Sequence, residues 1–218
     1  MKKRDKFLNY GGQLIDEEDI QAVVETLRSP YITQGPKIAE FERAIADYVE
    51  AKYAGAFSSG TAALHGAYSV AGVRQGDEVI TTPITFVATA NAALYCGGKP
   101  VFADVDLETG LLDINNVKEK ITSKTKVIAP VDYAGQPVDI DAYMELAKEH
   151  DLIVVEDGAH SLGATYKGRK IGRQADMTMF SFHPVKPITT GEGGVITTNN
   201  KEYYEKLKQF RTHGILQK

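Results

Sequence analysis

The sequence predicts an α/β fold: a seven-stranded, mostly parallel but mixed sheet with helices on both faces. Three observations carry this reading. Short apolar, β-branched runs alternate with helix-periodic stretches along the whole chain. There are seven such runs, enough for one broad sheet. The last two, 177–182 and 195–198, follow each other with no helix between them, so at least one strand runs against the others.

The elements follow in order. Residues 16–27 open with Asp16-Glu17-Glu18-Asp19, which suits the positive end of a helix dipole. A turn-rich connector, 29–36, comes next. Its Pro36 fits the first turn of a helix over 37–50, where Ile38, Phe41, Ile45 and Tyr48 share one face. A strand at 53–58 leads through Ser59-Gly60-Thr61 into a helix over 62–70. The DEVIT run at 77–81 is a strand, and the Ala-rich stretch 85–95 is predicted as a helix. Buried strands are predicted at 99–103, 126–131 and 152–155, with a helix over 140–150 between the last two. The pair 177–182 and 195–198 completes the sheet. Residues 201–210 form a closing amphipathic helix with Gly214 as its stop.

Composition narrows the function classes. At 218 residues the chain is one large domain, or one domain with an appendage. A hydrophobic fraction of 43% with 25% charged residues excludes intrinsic disorder. A net charge of −4 without a basic patch argues against nucleic-acid partners. Cys96 is the only cysteine, which excludes an internal disulfide framework and a cysteine-based zinc cluster. No apolar run approaches the roughly 18 residues of a membrane span, so no membrane partner is expected. The basic start at 1–6 has no apolar region after it and does not read as a signal peptide. A cytoplasmic location is expected. After Gly214 only four residues remain, as if the pattern stopped midway.

Four segments can carry chemistry. Ser58-Ser59-Gly60-Thr61 lies between a strand and a helix, where Gly60 permits close backbone approach and the helix N-terminus offers free N–H groups to an anion. Ser59 and Thr61 add hydroxyls, and the same stretch also fits a plain helix cap. The strand at 152–155 delivers Glu156 and Asp157 at its C-terminal end, the edge where open α/β sheets bind ligands. An acid there either caps the next turn or holds a protonated ring nitrogen. His160, three residues on, either caps a turn or lies against the same ring. Lys186 lies in a loop punctuated by Pro184, Pro187 and three glycines, after a hydrophobic strand. A desolvated lysine held in such a loop is a carbonyl-directed nucleophile. Ser181, ahead of it, offers another hydroxyl to a phosphate. Phe86 follows the strand at 77–81 and opens the next helix, as a core residue or as a stacking surface for a planar group.

Together these residues describe a pyridoxal 5'-phosphate site: a phosphate cradle, a stacking ring, an acid and a Schiff-base lysine. At this point the sequence resembles the DegT/DnrJ/StrS sugar aminotransferases, enzymes of fold type I that aminate keto-sugars carried on nucleotides. The matching stretches are ITQGPKIAEFE (32–42), SSGTAALHGAY (58–68), TPITFVATANAAL (82–94), PVDYAGQPVDID (130–141), VVEDGAHSLGATYKGRKIG (154–172) and SFHPVKPITTGEGG (181–194). The resemblance runs from about Tyr10 to the last residue.

It implies that Lys186 forms the Schiff base and shuttles a proton, and that Asp157 keeps the pyridine nitrogen protonated. It implies further that Phe86 stacks on the ring, that Gly60, Thr61 and Ser181 hold the phosphate, and that His160 lies close to the ring. Dehydrating relatives carry His where this chain has Lys186, so the lysine implies transamination. HPVKPITTGEGG is most similar to the branch that aminates a UDP-4-keto-6-deoxy-N-acetylhexosamine on the pseudaminic acid route, with glutamate as amino donor. Family members form homodimers and continue into a smaller C-terminal domain. The implied division here is an N-terminal helix and connector at 1–35 and a cofactor-binding large domain at 36–218, with the small domain absent. A pyridoxal-phosphate-dependent sugar dehydratase, a fragment that binds the cofactor or dimerises without turnover, and a plain α/β binding module are the competing readings.

Overall fold

Parallel strands whose side chains are apolar on both faces need helices on both sides, and the chain supplies them in alternation. The computed structural model describes Phe7 and residues 11–215; the basic start at 1–6, Tyr10 and the closing 216–218 lie outside the described residues. The helices are α1 (Glu17–Arg28), α2 (Pro36–Val49), α3 (Gly60–Val70), α4 (Ala88–Tyr95), α5 (Ile114–Lys120), α6 (Ile140–His150) and α7 (Lys201–Arg211). The strands are β1 (Tyr53–Phe57), β2 (Glu78–Thr81), β3 (Lys99–Phe102), β4 (Thr125–Ala129), β5 (Ile153–Asp157), β6 (Thr165–Tyr166), β7 (Arg169–Lys170), β8 (Met177–Ser181) and β9 (Gly194–Thr198).

Seven strands form one sheet in the order β1-β9-β8-β5-β4-β2-β3. β3, β2, β4, β5 and β8 run parallel, while β9 is antiparallel to both β8 and β1. The single reversed strand is therefore β9, the one predicted to follow its predecessor without a helix.

Alternation along the strands sorts the core by face. Val155, Met177, Met179 and Ile196 pack under α3, α4 and α7 through Leu64, Ala67, Tyr68, Ala92 and Leu207. On the other face, Ile80, Ile128 and Val154 pack against α5 and α6 through Val117, Tyr143 and Leu146. Phe180 and Val195 meet Ile45 and Val49 of α2. A half-buried ion pair between Arg211 and Glu42 ties α7 to α2. Glu42 Oε1 also accepts the Ala56 N–H at 2.8 Å, which fixes the end of β1 just before the Ser58-Ser59 turn.

Several boundaries differ from expectation. The helix predicted over 85–95 begins at Ala88, so Phe86 precedes it rather than opening it. Pro83 and the Thr82 hydroxyl, which accepts the Ile84 N–H at 3.0 Å, hold 82–87 in an irregular segment. β3 is an edge strand and only partly covered, not a buried one. β5 runs two residues further than predicted, to Asp157 itself. α3 starts at Gly60, with Ser59 as its cap. Two elements gave no sequence signal: α5, which buries only Val117, and the two-residue hairpin of β6 and β7. Among the described residues no helix is long and apolar enough to cross a membrane.

Candidate functional site

At the C-terminal ends of β5 and β8, beside the start of α3, lies a cavity of about 780 Å³. Gly60, Thr61, Phe86, Asp157, His160, Ser181 and Lys186 all line it. Residues up to 126 positions apart in sequence, from Gly60 to Lys186, thus converge on one edge of the sheet.

The α3 end is built to receive an anion. The Ser59 hydroxyl accepts the Ala62 N–H at 3.1 Å, so its side chain is committed to capping. The first-turn amides at Gly60 and Thr61 have no intrahelical acceptor. A Cβ at Gly60 would come within 3.0 Å of the Ser181 Cβ and 3.2 Å of its Oγ, so glycine leaves room for the Ser181 hydroxyl beside the helix start. Gly194 works from below: a Cβ there would lie 2.4 Å from the Ser59 carbonyl oxygen, a contact only glycine permits. This cradle fits a phosphate, with Thr61 and Ser181 as hydroxyl partners.

Adjacent residues on a strand face opposite ways, and that separates the two carboxylates of β5. Only Asp157 reaches the cavity; Glu156 is buried on the other face, where its Oε2 accepts the Thr178 hydroxyl at 2.9 Å and its Oε1 has no partner. Asp157 fills the capping role considered for it and keeps its second oxygen toward Thr89. Its Oδ1 caps the next turn by accepting the Ala159 N–H at 3.1 Å, and its Oδ2 accepts the Thr89 hydroxyl at 2.7 Å. Burial pushes its carboxyl above the usual range, opposed by those two hydrogen bonds and by the Lys186 and His160 charges. A buried acid facing a cavity in this way fits a protonated ring nitrogen.

Lys186 is half-buried, and burial lowers its ammonium pKa while Asp157 pulls the other way. Its loop is closed on itself. The Lys186 N–H donates to the His183 carbonyl at 2.9 Å, the Phe182 N–H to the Gly193 carbonyl at 2.9 Å, and the Thr190 N–H to the Phe182 carbonyl at 3.1 Å. A lysine with a lowered pKa on a pinned backbone has the properties of a carbonyl nucleophile. His160 is likewise lowered, first by burial and then by Lys186. Its ring meets Tyr133 edge-on at 6.5 Å. Phe86 lines the cavity and is 71% exposed.

Thr89, His183 and Glu192 were not singled out from sequence. Thr89 holds Asp157, while His183 and Glu192 line the cavity 4.0 Å apart. No sequence pattern marks Thr89, because Thr85, its hydrogen-bond neighbour at 3.0 Å, precedes the helix that carries it.

A parallel sheet with one reversed strand, with a lysine loop between β8 and β9 and an acid at the end of β5, defines the large domain of the fold-type I pyridoxal-phosphate-dependent transferases. Within that class, the chain belongs to the DegT/DnrJ/EryC1/StrS aminotransferase family, whose model matches residues 13–218. It is 42% identical over 214 residues to the UDP-4-amino-4,6-dideoxy-N-acetyl-beta-L-altrosamine transaminase of Campylobacter jejuni, covering 97% of this chain and 56% of that protein. Its structure is similar to Helicobacter pylori PseC, an aminotransferase involved in the biosynthesis of pseudoaminic acid, with TM-score 0.93, 42% identity, and 98% of this chain and 58% of that one covered. It is also similar to the PLP form of Spr1654 from Streptococcus pneumoniae, with TM-score 0.88, 36% identity, and 93% and 57% covered. The chain spans little more than half the length of these relatives.

Proposed function

We propose that this chain is the cofactor-binding part of a pyridoxal-phosphate-dependent aminotransferase that moves an amino group from glutamate to a keto-sugar nucleotide. The substrate we favour is a UDP-4-keto-6-deoxy-N-acetylhexosamine, on the likeness to the Campylobacter and Helicobacter proteins. The observation that carries the reading is the meeting of Lys186 and Asp157 in one cavity beside the free end of α3.

When bound, pyridoxal phosphate supplies an aldehyde that condenses with amines and a ring that accepts electron density. The chain's own residues do the rest. Gly60, Thr61 and Ser181 bind the phosphate through helix-end amides and hydroxyls. Asp157 would accept a hydrogen bond from the protonated ring nitrogen, and Phe86 and His160 would orient the ring plane. Lys186 Nζ would hold the cofactor's aldehyde carbon, its oxygen leaving as water, and as a free amine would take and return a proton at the same nitrogen. Residues 36–218 form the large domain and 1–35 an N-terminal helix and connector. A homodimer, acting in the cytoplasm, is part of this reading: Val87, Leu94 and Tyr95 leave an exposed apolar stripe along α4 that suits a second copy.

The test is spectroscopic. Incubated with pyridoxal phosphate, the chain should gain the visible absorbance of a lysine-bound cofactor, and Lys186→Ala should abolish it. Added glutamate should then bleach the band. No retained cofactor in the wild-type chain would sink the proposal. A second reading is cofactor binding without turnover; a band that glutamate leaves unchanged would select it.

A further inference from the structure

Thr89 is fully buried at the second position of α4, and its hydroxyl has three neighbours. Asp157 Oδ2 lies at 2.7 Å, Thr85 Oγ1 at 3.0 Å and the Phe86 carbonyl at 3.3 Å. A hydroxyl carries one proton, and the shortest contact, the only one to a carboxylate, takes it. The Thr85 hydroxyl then donates to Thr89, forming a relay that ends on Asp157. The Thr89 carbonyl accepts the buried Tyr68 hydroxyl at 3.0 Å, which pins the start of α4 to α3. Each oxygen of Asp157 thus has its own fixed donor, Ala159 N–H on one and Thr89 Oγ–H on the other.

We propose that Thr89, fed by Thr85, is a positioning residue: its hydroxyl donates to Asp157 and fixes the orientation of the carboxylate that holds a protonated ring nitrogen. The use of that carboxylate rests on the pyridoxal-phosphate reading; the effect of Thr89 on it does not.

The groups that face Asp157 set the direction of the effect. Lys186 and His160 face it across the cavity, the buried Asp132 and Glu156 lie outside the cavity, and Tyr68 comes from α3. The Thr89 hydrogen bond is the largest influence opposing burial. Without it, burial pushes the carboxyl further up.

Thr89→Val keeps the shape and removes the hydroxyl, whereas Thr89→Ser keeps the hydroxyl and removes the methyl. With carboxyl-labelled aspartate, NMR follows the Asp157 titration in the cofactor-free chain. The midpoint should rise in T89V and stay near wild type in T89S. The dissociation constant for pyridoxal phosphate, read by absorbance, should rise about tenfold in T89V, or about 1.4 kcal/mol, and recover in T89S. Thr85→Val, at a partly exposed position, should move the midpoint the same way by less, and it keeps the test open if T89V does not fold. An unmoved midpoint in the hydroxyl-lacking variants, or T89S as impaired as T89V, would overturn the proposal. A wild-type chain that takes up no cofactor sinks the proposed function alone, because the midpoint still decides the role of Thr89.

Discussion

Asp132 is fully buried on the face of the sheet away from the cavity, and replacing it with asparagine separates its hydrogen bonding from its charge. Its Oδ2 accepts the Ser161 hydroxyl at 2.6 Å and its Oδ1 accepts the Val138 N–H at 3.0 Å. Those bonds tie the segment that carries Tyr133 to the turn that carries His160. Burial nevertheless pushes the carboxyl from its ordinary 3.8 up to about 6, with the neighbouring Asp157 adding to the rise. An acid whose pKa is higher in the folded state holds its proton better there. Stability therefore falls as pH rises from about 4 to about 6, and the cost above that window is about 3 kcal/mol. Asparagine removes the charge and keeps partners: its oxygen accepts the Val138 N–H, and its amide donates to the Ser161 oxygen. The Ser161 proton then turns to the Gly158 carbonyl, already 3.3 Å away. Asp132→Asn should match wild type near pH 4 and exceed it by roughly 1–3 kcal/mol at pH 8 in denaturant melts run across that range. Asp132→Ala, which strands the Val138 N–H, should lose about 2 kcal/mol near pH 4 and progressively less as pH rises, because it has no carboxyl to titrate. If D132N is instead weakest at pH 8, the buried charge is a net stabiliser and the reasoning fails.

Two further outcomes follow from the same geometry. Gly60→Ala should weaken pyridoxal phosphate binding about tenfold while leaving the melting temperature within a few degrees, since the new methyl presses on Ser181 at the phosphate cradle; equal affinity in a cofactor titration would count against the cradle. Glu156→Gln should stabilise the fold progressively as pH climbs above the ordinary glutamate range, because burial and the Asp132 charge raise that carboxyl in the folded state; urea melts at pH 5 and 8 would expose a flat or opposite trend.

All seven strands of the main sheet and the reversal near its end were legible because each strand is a dense apolar run, and alternating faces demand helices. α5 was not, because a helix that buries one valine has no amphipathic stripe to read. The start of α4 was misplaced because Thr85-Phe86-Val87 continues the helix-like composition, while Pro83 and the Thr82 side chain act only locally. In the site, the residues on backbone-defining motifs were readable: the glycine turn at 58–61, the acid ending an apolar strand, and the lysine among prolines. Thr89 was not, since a threonine in an alanine-rich helix looks the same whether it faces solvent or an aspartate 68 residues away. The separate fates of Glu156 and Asp157 were within reach of strand alternation, but only once β5 was known to extend through both.

The one reversed strand is what allows a loop to present the lysine. A parallel β8–β9 pair would need a crossover of a dozen or more residues, usually a helix, carrying the chain from the C-terminal edge of the sheet to the opposite one. Because β9 is antiparallel to β8, Ser181 pairs with Gly194, so both ends of the intervening segment sit at the same edge. Residues 182–193 are then free to be irregular, held by turn hydrogen bonds rather than by helix geometry. The same reversal brings Gly194 against the carbonyl of Ser59 and pairs it with Phe57 of β1, joining the lysine loop to the phosphate cradle through one glycine. β5 reaches that edge by running parallel to β8, with Asp157 opposite Met179. The cradle, the acid and the amine are therefore fixed relative to one another by strand pairing itself, and a substitution that shifts the β8–β9 register should disturb all three together.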